Sequence, residues 1–227
     1  MKLKYLGHSA FYVEAEGLKA LFDPFLNANP NACAKASDFT DVNYIFVTHG
    51  HGDHVGDTVE IARRCSATVI CPTELAPFLA AQGVDTEGMQ IGASHKFPFG
   101  KVKLTCALHG SNYVVNGDAK YAGLACGFLV CVEGKKIYHA GDTALTMDML
   151  LLAQDSVDAA LLPIGGYYTM DIDDAVRGAK FIDAKIAIPM HYNTFPAIQA
   201  DPSDFVKKCA DEEISARALE IGEEVII

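Results

Sequence analysis

The segment Thr48–His54, THGHGDH, places three histidines and an aspartate directly after the apolar run NYIFV. Polar side chains crowded at the end of a buried strand are stable only when a cation balances them. His49 and His51 share one side of a turning loop and can bind the same ion, because the intervening glycines allow a tight turn. Asp53 and His54 then face a neighbouring position. Imidazole and carboxylate ligands suit zinc, iron and manganese, so the motif predicts a metal centre.

Three more potential ligands follow apolar runs further along the chain. His109 ends VKLTCALH, Asp142 ends KIYHAGD and His191 ends KIAIPMH, just as His49 ends NYIFVTH. Strand ends that meet at one edge of a core bring residues from distant parts of the sequence together. A lone histidine at such a place is as often structural as functional, but the joint pattern predicts that all three side chains belong to the metal centre.

Short apolar runs and amphipathic stretches share the chain. The apolar runs predict strands at 2–5, 10–13, 20–22, 43–47, 67–71, 102–107, 125–132, 136–139, 159–163, 185–189 and 224–227. The amphipathic stretches predict helices at 56–65, at 73–82 with Thr73 as N-cap and Gly83 as stop, at 147–154, at 173–182, and after Asp201-Pro202. Strands followed by helices, twice over, indicate two packed sheets with helices outside.

Size and charge restrict the kinds of partner. A chain of 227 residues, 50% of them hydrophobic, suits a single domain over residues 1–227, built from two similar halves of about 1–110 and 111–227. A net charge of −11 disfavours nucleic acid and anionic membranes as partners. A small-molecule substrate remains, and even an anionic one is allowed, because bound divalent ions reverse the local sign of the charge.

The cysteines and the amino terminus indicate a cytoplasmic protein. The seven cysteines are odd in number and irregularly spaced, with no CxxC pair, which predicts reduced thiols, most of them in the core. The start, MKLKYLGHSAF, alternates like a strand and lacks the apolar stretch of a signal peptide. The apolar runs are too short to span a bilayer. Their even spread is compatible with a homo-oligomer.

The order of the seven potential ligands resembles the metallo-β-lactamase superfamily, whose pattern is HxHxDH followed by His, Asp and His. The resemblance implies an α/β fold, a four-layer αββα sandwich, with two bound divalent ions. The implied ligands are His49, His51 and His109 for the first ion, Asp53, His54 and His191 for the second, and Asp142 as the bridge. Asp23, in ALFDPF, matches an acidic residue that usually supports the ligand loop without binding metal.

Four segments narrow the resemblance to one branch. LGHSAF, HGDHVGDTVEIA, LPIGGYYTMD and MHYNTFP look like small metal-dependent hydrolases related to L-ascorbate-6-phosphate lactonase and, more distantly, to N-acylphosphatidylethanolamine phospholipases. Asp142, where lactamases use a different residue, is typical of the general hydrolases. The chain has GGYYTM where members of the branch often have GDNFTM, and this departure falls on a loop expected to line the pocket.

The resemblance implies that a metal-bridging hydroxide attacks a small ester, lactone, amide or phosphodiester. Zinc is the first choice of metal, and manganese, nickel and iron accept the same ligands. Asp53 is expected to orient the hydroxide as well as to bind metal. His8, Tyr168 and Asn193 are the candidates for substrate contact. Asn193 and Thr194, just after His191, are candidates for hydrogen bonds to the substrate or to the ligands from behind. No GxSxG is present, which argues against a serine hydrolase.

The remaining histidines are expected away from the ligand set, and the ligand set itself suits further functions. His139 is expected in the core or behind the ligands, and His95 in an exposed loop. The ligand set also suits a non-haem iron oxidoreductase, a phosphodiesterase acting on a nucleotide or phospholipid, and a non-catalytic metal-binding protein. The identity of the bound metal and oxygen-dependent turnover would separate the iron enzyme from the hydrolase.

Overall fold

The computed structural model describes every residue from Met1 to Ile227 and contains two large β-sheets and one hairpin. In chain order the strands are β1 (Lys2–Gly7), β2 (Ala10–Ala15), β3 (Leu18–Phe22), β4 (Tyr44–Phe46), β5 (Thr68–Pro72), β6 (Thr86–Met89), β7 (Ser94–Phe97), β8 (Gly100–Cys106), β9 (Asn112–Val115), β10 (Asp118–Tyr121), β11 (Cys126–Val132), β12 (Lys135–His139), β13 (Ala159–Pro163), β14 (Ile186–Met190) and β15 (Glu224–Ile226). The first sheet has the order β15-β1-β2-β3-β4-β5-β6, and the second the order β14-β13-β12-β11-β8-β7. Strands β9 and β10 pair only with each other.

Helices connect the strands on the outer faces of the sheets. The α-helices are α1 (Gly52–Val55), α2 (Thr58–Cys65), α3 (Ala76–Ala80), α4 (Ile172–Ile182) and α5 (Pro202–Asp211). Three 3₁₀ helices span Ala36–Asp38, Met147–Asp155 and Pro196–Ile198.

Aromatic side chains join the two sheets into one core. The ring of Phe46 in β4 stacks on Phe22 in β3 with centroids 4.7 Å apart, and lies 5.3 Å from Phe128 in β11 of the other sheet. Helices α2 and α3 cover the outer face of the first sheet through Ile61 and Leu79. Helix α4 covers the second sheet and α5 packs on α4. The four-layer αββα sandwich predicted from the sequence is confirmed.

Strand direction brings the predicted ligands to one edge. Strands β3, β4 and β5 run parallel in the first sheet, as β12, β13 and β14 do in the second. Strand β1 lies two antiparallel steps from β3, and β8 lies two such steps from β12, so each shares the direction of its sheet. The carboxyl ends of β1, β3, β4, β8, β12 and β14 therefore all open onto the edge where a site can form.

The predicted strands are all present, with ends that differ by two residues at most. The helix predicted at 73–82 is shorter, because the Thr73 amide pairs with Met89 O across the sheet and does not begin a helix. Thr73 is therefore not the N-cap, which is Leu75. The stretch predicted as a helix at 147–154 is a 3₁₀ helix, opened by the Thr146 side chain accepting from the Asp148 amide.

Four short strands were not predicted. Strands β6, β7, β9 and β10 are four residues each and contain at most one buried residue, so they lack the apolar alternation that marks a half-buried strand. His95 is exposed as expected, although it lies in β7 and not in a loop.

The two sheets do not divide the chain near residue 110. Strands β7 and β8 belong to the second sheet, and β15, at the end of the chain, pairs with β1 in the first. The first half of the sequence thus contributes two strands to the second sheet, and the last strand returns to close the first. Each sheet is completed by the other half, which favours a single cooperative domain.

All seven cysteines are free thiols, as predicted. The expectation that most lie in the core holds for Cys71, Cys126 and Cys209, whereas Cys33 and Cys106 are exposed. None of the helices combines the length and the apolar character required to cross a membrane.

Replacing Phe46 by alanine is expected to lower the free energy of unfolding by about 3–5 kcal/mol, because it empties the contact between the two sheets. The matched control is Tyr121→Ala in the hairpin, where the side chain is 72% exposed and the expected change is within about 0.5 kcal/mol. Urea denaturation at constant metal content measures both. Equal losses for the two variants would contradict the assignment of Phe46 to the core.

Candidate metal centre

Loops at one edge of the sandwich carry all seven predicted ligands. His49 follows β4, and His51 is the N-cap of the single-turn helix α1, which carries Asp53 and His54. His109, Asp142 and His191 follow β8, β12 and β14. The structure brings the seven side chains together into two groups of donor atoms that meet at Asp142.

The first group consists of His49, His51 and His109. His49 Nε2 lies 3.0 Å from His51 Nδ1, and His109 Nε2 lies 3.3 Å from the same atom. The donor atoms of all three rings lie within 4.8 Å of one another. Three imidazole nitrogens this close together can supply three of the four ligands of a tetrahedral metal site.

The second group consists of His8, Asp53, His54 and His191, whose donor atoms also lie within 4.8 Å of one another. Asp53 Oδ2 lies 3.9 Å from His191 Nε2 and 3.3 Å from His8 Nε2. His8 lies in the turn between β1 and β2 and is buried behind Asp53. The sequence pointed to His8 as a substrate contact, and the structure places it among the potential ligands.

Asp142 lies between the two groups. Its Oδ1 is 3.2 Å from His54 Nε2, and its Oδ2 is 3.0 Å from His191 Nε2 and 3.7 Å from His109 Nε2. A carboxylate within reach of rings from both groups has the position that a bridging ligand requires.

Asp23, at the end of β3, supports the motif loop from below. Its Oδ1 accepts from the Thr48 amide at 2.8 Å, and its Oδ2 accepts from the Thr48 hydroxyl and from His54 Nδ1, both at 2.7 Å. Since the Thr48 hydroxyl donates its proton to Asp23, it accepts from His49 Nδ1 at 3.0 Å. These bonds leave Nε2 of His49 and His54 facing the site, the usual arrangement behind metal-binding histidines.

Close backbone contacts hold the ligand loops in place. A Cβ on Gly50 would lie 2.5 Å from Asn112 O, so only glycine fits where the motif meets the chain after His109. Gly141, with φ of +63°, would bring a Cβ within 2.5 Å of Cys126 O and sets the turn before Asp142. Gly52 has no neighbour within 4 Å, so the second glycine of the motif is not required for packing.

Burial keeps the first group neutral. It lowers the pKa of His49 well below the usual range and also lowers the pKa values of His51 and His109. These rings carry lone pairs near pH 7, so a cation that binds them displaces no proton.

The pKa of His54 shifts in the opposite direction. Burial opposes its charged form, but the carboxylates of Asp142 and Asp23 outweigh burial and raise the pKa of His54 well above its usual value. Burial likewise favours neutral Asp142, but His191 and His54 hold the pKa of Asp142 well below its usual range. A metal ion that binds His54 therefore replaces a proton, and its affinity falls as the pH falls.

The buried donor atoms fit a metal centre. His54 Nε2, His191 Nε2 and Asp142 Oδ1 are buried without a hydrogen-bond partner, although the pairs are only 3.0–3.2 Å apart. Leaving buried polar atoms unpaired costs about 1–3 kcal/mol each, so the cluster is unfavourable unless a cation draws these atoms together. The residues present thus suit divalent ions.

A cleft of about 480 Å³ opens over the donor groups. Its lining residues are His51, Asp53, His109, Asp142, Tyr168, His191, Phe195, Pro196 and Ala197. Tyr168 thus lies where the sequence placed it. Asn193 faces a different pocket, because its backbone has a positive φ of +58° and its Oδ1 accepts from the Ala200 amide.

Several supporting residues were not found from the sequence. Thr48 contacts His49 at 3.0 Å and Asn112 contacts His51 at 3.1 Å. Thr194, a candidate from the sequence, contacts His8 Nδ1 at 2.9 Å. His139, expected in the core or behind the ligands, does both: its ring stacks on Phe22 and its Nδ1 accepts from the Gly141 amide. Polar residues of this kind are common in loops, so only the fold shows which of them meet the site.

Comparison with known proteins identifies the family of the chain. The family model described as the β-lactamase superfamily domain matches residues 19–192. A UPF0173 metal-dependent hydrolase of Bacillus cereus (strain B4264) is 51% identical over 230 residues, covering 100% of both chains. The solved structure of a metallo hydrolase from the archaeon Ignicoccus hospitalis is 37% identical, with a TM-score of 0.90 over 99% of this chain and 97% of that chain.

A more distant structure shares the fold alone. The diiron β-hydroxylase of Streptomyces venezuelae is 16% identical, with a TM-score of 0.79 over 100% of this chain and 54% of that chain. At 16% identity, the two proteins share the fold of the backbone, and the likeness carries no conclusion about the reaction.

Replacing Asp23 by asparagine is expected to weaken metal binding by about 10–100-fold, the usual cost of disturbing a group that orients ligands. The new amide would place a donor against either the Thr48 amide or the Thr48 hydroxyl and His54 Nδ1. Competition with a chelator measures the affinity. Asp158→Asn is the matched control, since Asp158 is also buried and accepts from a backbone amide, that of Lys136, far from the site. Unchanged affinity in Asp23→Asn would contradict the role given to Asp23.

Proposed function

Because the chain belongs to the metallo-β-lactamase superfamily, and within it to the UPF0173 metal-dependent hydrolases, we propose that it is a binuclear hydrolase of a small ester, lactone or amide. The observation that carries this proposal is the presence of two adjacent groups of donor atoms that share Asp142. A structural site needs one closed set of ligands, whereas two open sets beneath a cleft suit catalysis.

The positions of the ligands and of Asp53 indicate the role of each in hydrolysis. Two bound divalent ions would supply a hydroxide nucleophile at neutral pH and polarise the bond to be cleaved. His49, His51 and His109 would hold one ion, and the second group the other. Asp53 lines the cleft and its side chain is 29% exposed, so its carboxylate can orient the attacking water and accept its proton.

The proposed metal, substrates, partners and compartment rest on the chemistry of the residues and on the family resemblance. Zinc is proposed first, since five of the seven ligands predicted from the sequence are histidines, with manganese, nickel or iron as alternatives. Lactones are proposed among the substrates because of the resemblance to L-ascorbate-6-phosphate lactonase. A net charge of −11 supports small molecules over nucleic acid or membranes as partners. Seven free thiols support the cytoplasm as the compartment.

Protein purified without added metal is expected to contain about two divalent ions per chain by elemental analysis. Removing the ions with a chelator is expected to abolish hydrolysis of ester and lactone substrates, and adding zinc back should restore it. His49→Ala and His191→Ala are each expected to retain about one ion, because each removes a ligand of one group only.

The control is His95→Ala, which removes an exposed histidine in β7 and should retain both ions. Iron as the dominant metal, with oxygen-dependent turnover, would favour the non-haem iron oxidoreductase. Failure to bind any added metal would overturn the proposal.

A further inference from the structure

We propose that the cleft takes an uncharged substrate with an apolar acyl or aryl group; this rests on the proposed hydrolase function. Five of the nine residues that line the cleft belong to the ligand set. The other four are Tyr168, Phe195, Pro196 and Ala197, which form an apolar wall beside the ligands. A cavity of about 480 Å³ has the size of an ordinary small-molecule pocket.

The wall is built rigidly. The Phe195 ring packs against His8 with centroids 5.6 Å apart and against Phe25 at 6.2 Å. Pro196 and Ala197 open the 3₁₀ helix that ends at buried Ile198, whose amide bonds back to Phe195 O at 3.1 Å. A preformed apolar surface binds an apolar group at little cost in conformational entropy.

Tyr168 is the fourth residue of the apolar wall. It lies on the Gly165–Met170 turn, which the Met170 amide fastens to Thr143 O at 2.9 Å, next to Asp142. Two exposed apolar residues are sequence neighbours of residues that line the cleft: Tyr167, 82% exposed, precedes Tyr168, and Leu108, 66% exposed, precedes His109.

Apart from the predicted metal ligands and the Tyr168 hydroxyl, the cleft has no polar side chain for a charged or sugar-like substrate. None of its nine lining residues is lysine, arginine, serine, threonine, asparagine or glutamine. Phosphate is usually bound by arginine, by lysine or by clustered backbone amides, and sugar hydroxyls need several polar partners. Here two carboxylates, Asp53 and Asp142, line the cleft in a chain of net charge −11. Only the bound metal ions would balance the negative charge of a phosphate group in this cleft.

Matched substrates test this proposal on the metal-loaded protein. We expect kcat/KM for neutral 4-nitrophenyl esters to rise roughly fourfold for each methylene added from acetate to hexanoate, while the chain is still buried. The hemisuccinate ester and bis(4-nitrophenyl) phosphate are expected to react at least about tenfold more slowly than the butyrate ester, because no lysine or arginine lines the cleft to bind their extra charge. A flat dependence on chain length, or a preference for the charged esters, would overturn the substrate class.

A second test places a positive charge in the apolar wall of the cleft. Ala197→Lys is expected to raise the ratio of hemisuccinate to butyrate turnover, whereas Leu151→Lys, the same charge on an exposed residue outside the cleft, should leave it unchanged. If no ester or lactone reacts, the hydrolase proposal fails, and ligand binding still decides the class. Hexanamide should then stabilise the metal-loaded protein against heat more than hexyl phosphate does, and the reverse order would exclude the apolar class.

A different observation concerns the turn after β1, where we infer that His8 is a metal ligand of the second group. His8 Nε2 is buried without a hydrogen-bond partner and lies 3.3 Å from Asp53 Oδ2. His8 Nδ1 lies 2.9 Å from the Thr194 hydroxyl, which itself donates to Tyr192 O. Nδ1 therefore carries the proton, and Nε2 presents a lone pair to a carboxylate oxygen, an arrangement that a cation between them makes favourable.

The backbone holds His8 in this position. Its carbonyl oxygen accepts from the His191 amide at 2.8 Å and from the Tyr5 hydroxyl at 3.1 Å. The residue adopts a left-handed conformation, with φ of +57°, that histidine adopts less readily than glycine. The turn is thus fixed to the neighbouring ligand His191, which gives the second group four donors, whereas the first has three histidines and access to Asp142.

His8→Ala is expected to weaken binding of the second zinc ion about 10–100-fold in chelator competition, and to leave the first unchanged. X-ray absorption of the two-zinc protein should show one histidine fewer. His8→Gln, which retains a polar atom near the site, should recover part of the affinity. The melting temperature of the metal-free proteins controls for folding.

The outcomes separate this inference from the proposed function. Wild-type protein that binds no second ion would refute the binuclear hydrolase, and with it the role of His8. Wild-type protein that binds two ions, with His8→Ala binding both equally tightly, would refute the role of His8 alone.

Discussion

The carboxylate of Asp23 is the interaction on which the site depends. It lies fully buried at the end of β3 and accepts three hydrogen bonds, from the amide and hydroxyl of Thr48 and from His54. One anion thereby joins the end of one strand to the loop after the next strand and to helix α1. Because the Thr48 hydroxyl is committed to Asp23, the orientation of His49 is fixed as well. A buried carboxylate with three donors is stable, whereas one without them is not.

The same edge depends on how the strands are directed. Six strand ends open in one direction, so residues as far apart as His8 and His191 become neighbours, and the amide of one bonds to the carbonyl of the other. The direction of the strands explains how much of the fold and of the metal centre could be predicted from the sequence. The buried strands are apolar runs, and the ligands follow them directly, so the sandwich and its metal centre follow from local pattern and from the family resemblance. The hairpin of β9 and β10 does not, because its strands contain no buried residue and lack apolar alternation.

Residues that act through partners far along the chain were beyond local pattern. Asn112 meets His51 across 61 positions and belongs to no motif with a fixed spacing. Thr194 follows His191 closely, but only the fold shows that its hydroxyl meets His8 across 186 positions. Asn193 is the opposite case. It stands two residues after His191, yet a left-handed backbone turns its carboxamide to the Ala200 amide and away from the cleft. Proximity in sequence indicates proximity in space only where the backbone conformation is known.

The apolar wall and the ligand groups act on each other. Phe195 excludes water from one side of His8, and a drier surrounding strengthens every interaction between a bound cation and its ligands. The same dryness raises the cost of bringing a second anion into a cleft that already contains two carboxylates. Metal affinity and preference for an uncharged substrate therefore have one physical origin. A polar residue in place of Phe195 would weaken both together, which ties the choice of substrate to the stability of the metal centre.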